Sequence, residues 1–323
     1  MKLGCLTVPL YSMTFEAMVE YLSSLGVQAV ELGAGAFPGN THLNPDELLD
    51  NPARIHKVLQ HLKKYNMTIS AISIHGNPVH PNLKTACGYR EDFERAVRLA
   101  GQMEVDTVIT FSGCPGSDPD AKRPSWVTNP WPDEFVDILR YQWNDVLIPY
   151  WKEAAALANS YGIYKIAIEM HPNFCVYNPE TLLKLRAAVG DTIGANLDPS
   201  HLFWQGIDPV AAIRALGPAI YHMHVKDTRL DPANMSVNGV LDNKLFTDAL
   251  HRAWNFRTVG YGHERGVWKE IVSNLRMVGY DGTLSIEHED GLMSITEGLE
   301  KAVSFMRGIL MVEPPPEMWW INQ

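Results

Sequence analysis

The stretch Lys165-Ile166-Ala167-Ile168-Glu169-Met170-His171 decides how the rest of the chain is read. It opens with a short apolar and β-branched run of strand length, and side chains of a strand leave alternately from its two faces. Ile166, Ile168 and Met170 therefore share one face, while Ala167, Glu169 and His171 share the other. Most of the run is apolar on both faces, as in a covered parallel strand, yet its C-terminal end carries charge on one face only. Asn178-Pro179-Glu180 then caps a helix that ends at Gly190.

Outward from this unit the same order, a short strand followed by a capped amphipathic helix, recurs in both directions. Strands are expected over 3–8, 27–32, 68–75, 106–112, 165–170, 193–198, 220–226 and 283–287. The first helix has its apolar face on Phe15, Met18, Val19, Leu22 and Leu25 and stops at Gly26. Asn44-Pro45 and Asn51-Pro52 pair an N-cap with a proline at the first helical position, and Asp208-Pro209 does the same before a helix stopped by Gly217. A long helical stretch over 133–161 contains Pro149, which is expected to kink or divide it. Eight such units at roughly forty-residue spacing predict a closed (β/α)8 TIM barrel rather than an open sheet. One domain is expected over 1–323, with a long insertion at about 227–266 after strand seven and a tail over 311–323.

The same alternation, carried through the later strands, gathers ionisable groups at one end. Strand six directs Asn196 and Asp198 inward, strand seven His222, His224 and Lys226, and strand eight Ser285 and Glu287. Four consecutive strands thus aim such side chains into one mouth, the face where barrel active sites sit. Carboxylates crowded into a low-dielectric cavity require a compensating cation or protons. Three carboxylates and one imidazole make a divalent metal the natural solution, and oxygen-rich ligation favours Mn²⁺ or Mg²⁺, with Co²⁺ or Zn²⁺ as further candidates. Alone, a strand-end carboxylate is usually a cap or an ion-pair partner, and a strand histidine usually a hydrogen-bonded core residue. The coincidence on one face of adjacent strands is what independent structural uses would not produce.

The segments Ile168-Glu169-Met170-His171-Pro172, Asn196-Leu197-Asp198-Pro199-Ser200-His201, His222-Met223-His224-Val225-Lys226-Asp227 and Ser285-Ile286-Glu287-His288-Glu289-Asp290 resemble those of the xylose-isomerase-like TIM barrels. That family includes sugar (phosphate) isomerases and epimerases, ketose 3-epimerases and inosose dehydratases, and the catalytic subunits of C-glycoside deglycosidases are similar too. The resemblance implies metal ligation by Glu169, Asp198, His224 and Glu287, with Glu169 and Glu287 also acting as acid and base. It implies a substrate-binding role for His201, and for His75 and Asn77 in Ile72-Ser73-Ile74-His75-Gly76-Asn77-Pro78. Ketose epimerases carry a substrate-holding arginine shortly after the metal histidine; Arg229 lies one residue out of that spacing. Lys226 is expected to reach substrate, His171 to serve as a reserve acid or base or to orient a ligand, and Glu31 to bind substrate or, by preference, to pair with a cation. Trp126, Trp131, Trp204 and Trp254 fall on or near the active face and suit sugar rings or a flat aglycone.

The implied chemistry is proton abstraction next to a carbonyl through a metal-stabilised enediolate, giving isomerisation or epimerisation. The alternative is a lyase, in which the same enolate expels a β leaving group, as in dehydration or cleavage of a 3-keto-glycoside; a small β subunit would then be expected. A non-catalytic sugar-binding barrel is the reading of another class. The formal charge of −10 argues against nucleic acid, whose affinity rests on Lys and Arg neutralising phosphates. An apurinic-site endonuclease, which shares the barrel, is disfavoured for the same reason. No run of about 18 apolar residues predicts a membrane span. Cys5, Cys87, Cys114 and Cys175 have no CxxC spacing, which suggests reduced thiols in a cytoplasmic protein. Pro314-Pro315-Pro316 ends any helix before Trp319-Trp320, and the tail is expected to fold back or to contribute to a homo-oligomer.

Overall fold

In the computed structural model, residues 1–318 and 320 are described. β1 (Lys2–Leu6), β2 (Ala29–Gly33), β3 (Thr68–Ser73), β4 (Thr107–Phe111), β5 (Lys165–Glu169), β6 (Ile193–Leu197) and β7 (Ile220–Val225) stand side by side in parallel. A ribbon of β8 (Asp227–Leu230) and β9 (Trp254–Arg257) follows, and then β10 (Thr283–Ile286), which pairs with both β7 and β1 and closes the barrel. Each barrel strand lies within two or three residues of its expected bounds.

Local chemistry explains the boundaries. The helix Phe15–Leu25 ends where Gly26 adopts φ 77°, a left-handed conformation that costs glycine no steric strain. Asn178 accepts from the Thr181 amide while the Thr181 hydroxyl accepts in return from the Asn178 amide, a reciprocal cap that starts the helix Pro179–Val189. Pro149 divides the long helical stretch as expected, but through a wide turn rather than a break. Helix Glu134–Arg140 runs into a π-helical segment Tyr141–Leu147 and then into helix Ile148–Ser160, with the Ile148 amide bonded to the Trp143 carbonyl. A proline lacks the amide that would continue the α-helical ladder, and the π turn accommodates the loss.

The alternate strand faces divide as the pattern predicts. Val30, Leu32, Ile166, Ile168, Leu197, Met223, Val225, Leu284 and Ile286 pack outward into the continuous core beneath the helices. Ala71, Ile109 and Ala167 form a small cluster of their own.

The insertion after β7 is a small antiparallel hairpin rather than the long excursion expected from its length. Between β8 and β9 lie helix Pro232–Asn238 and turns. Trp204, Ala253 and Trp254 make a satellite core with Leu230, Met235, Val240 and Phe256 against it. Asp227 anchors its base: Oδ2 accepts from the amides of Gly260, Gly262 and His263 at 3.0, 3.2 and 2.9 Å, and Oδ1 from the Thr228 amide at 2.9 Å. No helix among the described residues is long and apolar enough to cross a membrane. Trp319 of the tail lies outside the described residues.

Candidate metal centre

Register brings the mouth residues to one level. Glu169 of β5 stands beside Asn196 of β6, Asn196 beside His222 of β7, and His224 beside Ser285 of β10. Asp198 and Glu287 are the residues just beyond the ends of β6 and β10. One donor atom from each of Glu169, Asp198, His224 and Glu287 lies within 4.8 Å of the others. The first three are buried and the Glu287 side chain is 13% exposed.

The hydrogen bonds around this quartet leave selected atoms free. Asp198 Oδ1 accepts from the Ser200 amide at 2.9 Å, capping helix Pro199–Trp204, so Oδ2 remains. His224 Nε2 donates to both oxygens of Glu31 at 3.0 Å, which fixes the ring and presents Nδ1 to Glu169 Oε2 at 3.2 Å and Glu287 Oε2 at 2.8 Å. Glu169 Oε2 accepts from Asn196 Nδ2 at 2.8 Å and lies 3.0 Å from His75 Nε2. Four buried atoms, Asp198 Oδ2, His201 Nε2, His224 Nδ1 and Glu287 Oε2, make no hydrogen bond among the described residues, and two of them, Asp198 Oδ2 and Glu287 Oε2, are ion-paired with the Lys226 ammonium at 3.1 and 2.9 Å. Buried polar atoms are normally paired. Lone pairs from two carboxylates and an imidazole, gathered with Glu169 within 4.8 Å and bordered by a single ammonium, fit a divalent cation, and the Glu31–His224 pair is the usual support for a metal-bound imidazole. A second potential cluster, Glu31, His222 and His224, has its lone pairs already committed. Glu31 accepts from Ser73 and, at 2.7 Å, from Ser285, while the His222 nitrogens face Asn196 Oδ1 and Ser70 Oγ.

The electrostatics follow from burial and crowding. Burial acts to raise the Glu169 carboxyl, but the neighbouring His75, His201 and His224 outweigh it and hold it well below the usual range. Glu31 is likewise opposed by burial and is drawn down to about 2, chiefly by His224. Burial lowers Lys226, yet Asp198, Glu287 and Glu289 together hold its ammonium well above its ordinary value. Its Nζ lies 3.1, 2.9 and 3.0 Å from these three carboxylates and 4.7 Å from the Phe256 ring centroid. The ammonium balances the carboxylates directly at the mouth.

The remaining candidates divide. His201 Nε2 lies 3.3 Å from both Glu169 Oε1 and Asp198 Oδ2, so it borders the centre itself. His171 meets the His201 ring at 4.0 Å, and burial, then the nearby His201, push it down to about 3, which leaves the ring neutral. Asn77 is not free for substrate: its amide donates to the Cys114 carbonyl and accepts from the Cys114 amide, both at 3.0 Å, clamping two loops together. Arg229 is exposed on β8 and reaches the Gly262 carbonyl at 3.5 Å rather than the mouth. Glu31 pairs with the His224 imidazole, not with a lysine or arginine. Trp131 is 73% exposed, and Trp204 and Trp254 stack on each other at 4.7 Å and 6° instead of presenting two open platforms.

Two neighbouring cavities lie at the mouth of the barrel. An inner one of about 230 Å³ reaches His75, Glu169, His201, Lys226 and Glu287, with Phe111 in its wall. An outer one of about 760 Å³ lies under the hairpin, and the two share His171, His201 and Glu289. Phe111, which reads in sequence as an ordinary core residue, touches the rings of His75, His171 and Phe174 at 4.6, 4.9 and 4.4 Å. Its position on the inward parity of β4 was the only available signal.

The chain is 43% identical to the uncharacterized protein YfiH of Bacillus subtilis (strain 168) over 95% of its own length and 98% of that protein. Among solved structures it is similar to an IolI protein with a bound zinc atom (TM-score 0.65, 18% identity, covering 96% of this chain and 98% of that one). It is also similar to a D-psicose 3-epimerase solved in the presence of D-fructose (TM-score 0.62, 15% identity, 96% and 99%). At such identities the likeness is one of fold. The description that matches residues 19–309 is that of the xylose isomerase-like TIM barrel, and the chain belongs to that family.

Proposed function

We propose that this protein is a divalent-metal-dependent isomerase or epimerase of a sugar or keto-sugar. The observation that carries the reading is the gathering of one donor atom each from Glu169, Asp198, His224 and Glu287 within 4.8 Å of one another at the top of the barrel, with the other nitrogen of His224 held by Glu31. Three carboxylates and one imidazole suit Mn²⁺, with Mg²⁺, Co²⁺ and Zn²⁺ as alternatives. When bound, the ion would supply Lewis-acid stabilisation of negative charge developing on a carbonyl oxygen.

The chain's own residues supply the proton chemistry. Glu169 and Glu287 come from β5 and from the end of β10, so a substrate between them meets a carboxylate from each side. One carboxylate takes the proton of the C–H beside the carbonyl. The C–H electron pair moves into the new C=C bond, and the carbonyl π pair passes to oxygen. Return of a proton to the neighbouring carbon interconverts aldose and ketose; return to the opposite face of the same carbon epimerises it. Asn196 and His75 keep Glu169 oriented through Oε2. His201 and Lys226 line the same inner cavity and can donate hydrogen bonds to substrate oxygens.

A β-elimination from the same carbanion is the second reading. It is favoured by His171 and His201, whose rings lie 4.0 Å apart at the junction of the two cavities, where a leaving group would stand. Incubation of metal-stripped and Mn²⁺-reloaded protein with keto-sugars in D₂O tests both. Deuterium at the carbon beside the carbonyl of the recovered sugar, only in reloaded protein, is the expected result. An unsaturated keto product, formed by loss of the β hydroxyl as water, would select elimination, and equal turnover in stripped protein would reject both.

A further inference from the structure

The four cysteines differ in their surroundings. Cys87 is exposed on helix Leu83–Gln102. Cys5 lies in the apolar core, where burial first and Glu31 second push its thiol up. Cys114 and Cys175, distant in the chain, are the two that meet. They are 1% and 5% exposed, and a thiol–thiol hydrogen bond joins them.

The fold brings them together. Cys114 follows β4 and Cys175 follows β5, strands whose ends stand level with Phe111 beside Glu169. Beyond the strands the Cys175 amide donates to the Gly113 carbonyl and the Val176 amide to Ser112 Oγ, both at 3.0 Å. Asn77 holds Cys114 through its amide and its carbonyl, and Trp151 Nε1 donates to the Ser112 carbonyl at 2.9 Å. These bonds, made beside each sulfur, set the approach of the two thiols.

The contact is unequal. The Cys175 thiol donates, and that bond, aided by burial, pushes it well above its ordinary value. The same bond holds Cys114 below its ordinary value against the opposing effect of burial. A cysteine of greater thiolate character beside a second thiol able to resolve it is the arrangement of oxidation-sensitive pairs. Cys175 also lines a cavity of about 250 Å³ with Trp126, Tyr177 and Lys184, room for a molecule little larger than water.

We propose that Cys114 and Cys175 form a modification site at which hydrogen peroxide converts the two thiols into a reversible disulfide, bridging the loops that follow β4 and β5. The Cys114 sulfur attacks one peroxide oxygen, the O–O bond breaks, and the departing hydroxide takes up a proton to become water. The Cys175 sulfur then displaces hydroxide from the sulfenic acid, which forms the S–S bond and, with the Cys175 proton, a second water. Two thiols are oxidised and one peroxide is reduced to two waters. The bridged loops reach the mouth of the barrel. The His171 amide donates to the Val176 carbonyl at 3.1 Å, and Phe174 stacks at 4.4 Å on Phe111 of the inner cavity.

The test uses the full chain with Cys87→Ser, which removes the exposed thiol and leaves three of the four cysteines. Folded protein is treated with hydrogen peroxide, alkylated in denaturant and mapped by mass spectrometry. The expected result is loss of two thiols, restored by dithiothreitol, with the Cys114–Cys175 cross-link exceeding any pairing with Cys5 by about tenfold or more. In the further variant Cys175→Ser, dimedone is expected to trap a sulfenic acid at Cys114; with Cys114→Ser, Cys175 is expected to stay unlabelled. Three thiols left intact at a peroxide dose that oxidises free cysteine overturn the proposal. A cross-link that forms only after unfolding in urea, or that involves Cys5, overturns it equally. Dimedone labelling at Cys175 rather than Cys114 would overturn the order of attack. The thiol count needs no turnover, so it is independent of the metal-assisted reaction.

Discussion

The first four strands of the barrel and the last four use their inner ends differently. Leu6, Glu31, His75 and Phe111 come from the first half, and Glu169, Asp198, His224 and Glu287 from the second. All four residues of the metal-ligand quartet come from the second half. The polar residues of the first half reach across the lumen instead: Glu31 to His224, and His75 to Glu169. On the proposed reading one wall would ligate the ion and the opposite wall would aim the ligands. A ligand whose ring or carboxylate is fixed from across the barrel enters the reaction already oriented, which is the general value of outer partners at metal sites.

The largest expected effect lies in the ligating wall. Glu169→Gln is expected to slow solvent-deuterium exchange by about 10²- to 10⁴-fold, the usual loss of an acid/base group, with an unchanged circular dichroism spectrum. A loss of only a few-fold would end the division of labour. On the outward face the two halves are expected to behave alike. Leu32→Ala on β2 and Leu197→Ala on β6 each remove a fully buried side chain, and each is expected to lower stability by about 2–5 kcal/mol in urea titrations while the folded fraction binds Mn²⁺ as before. A difference in metal affinity between them would show that packing, not inner-face chemistry, distinguishes the halves.

The aiming wall is tested more gently. Glu31→Gln keeps the shape but removes the charge facing His224, and Mn²⁺ affinity followed by electron paramagnetic resonance is expected to weaken about 10- to 100-fold. Unchanged affinity would reduce Glu31 to a packing residue. The smallest effect belongs to the scaffold shared by both halves. Asn178→Ala removes the cap of helix Pro179–Val189 and is expected to lower stability by about 1 kcal/mol in thermal unfolding, with exchange activity unaltered at low temperature.

Much of the ligating wall was legible because it depends on chain-local geometry. Glu169, Asp198, His224 and Glu287 could be placed on one face by counting alternate residues along strands whose other face is apolar. The aiming wall was less legible. Glu31 and His224 are 193 residues apart, Ser285 and Glu31 254, and no local pattern says that they meet. Asn77 and Arg229 show the opposite error. Motif position suggested substrate contact for both, whereas a clamp on Cys114 and the outward turn of β8 take them elsewhere. The tryptophans misled for a similar reason: composition places them near the mouth, but whether a ring presents its face or spends it on another ring is a packing outcome, as with Trp204 and Trp254.

By itself the sequence determined the repeating strand-and-helix order, the caps that start and stop the helices, and which side of each strand faces inward. These are set by torsional preference and by the two-residue repeat of an extended chain, both of which act between near neighbours. Only the tertiary structure decided which nitrogen of His224 faces Glu31, that Lys226 sits among three carboxylates, and that Phe111 lies against the His75 and His171 rings. Closing the barrel brings β1 against β10, and the partner of each inward atom is fixed by the shear and register of that closure rather than by any residue beside it in the chain.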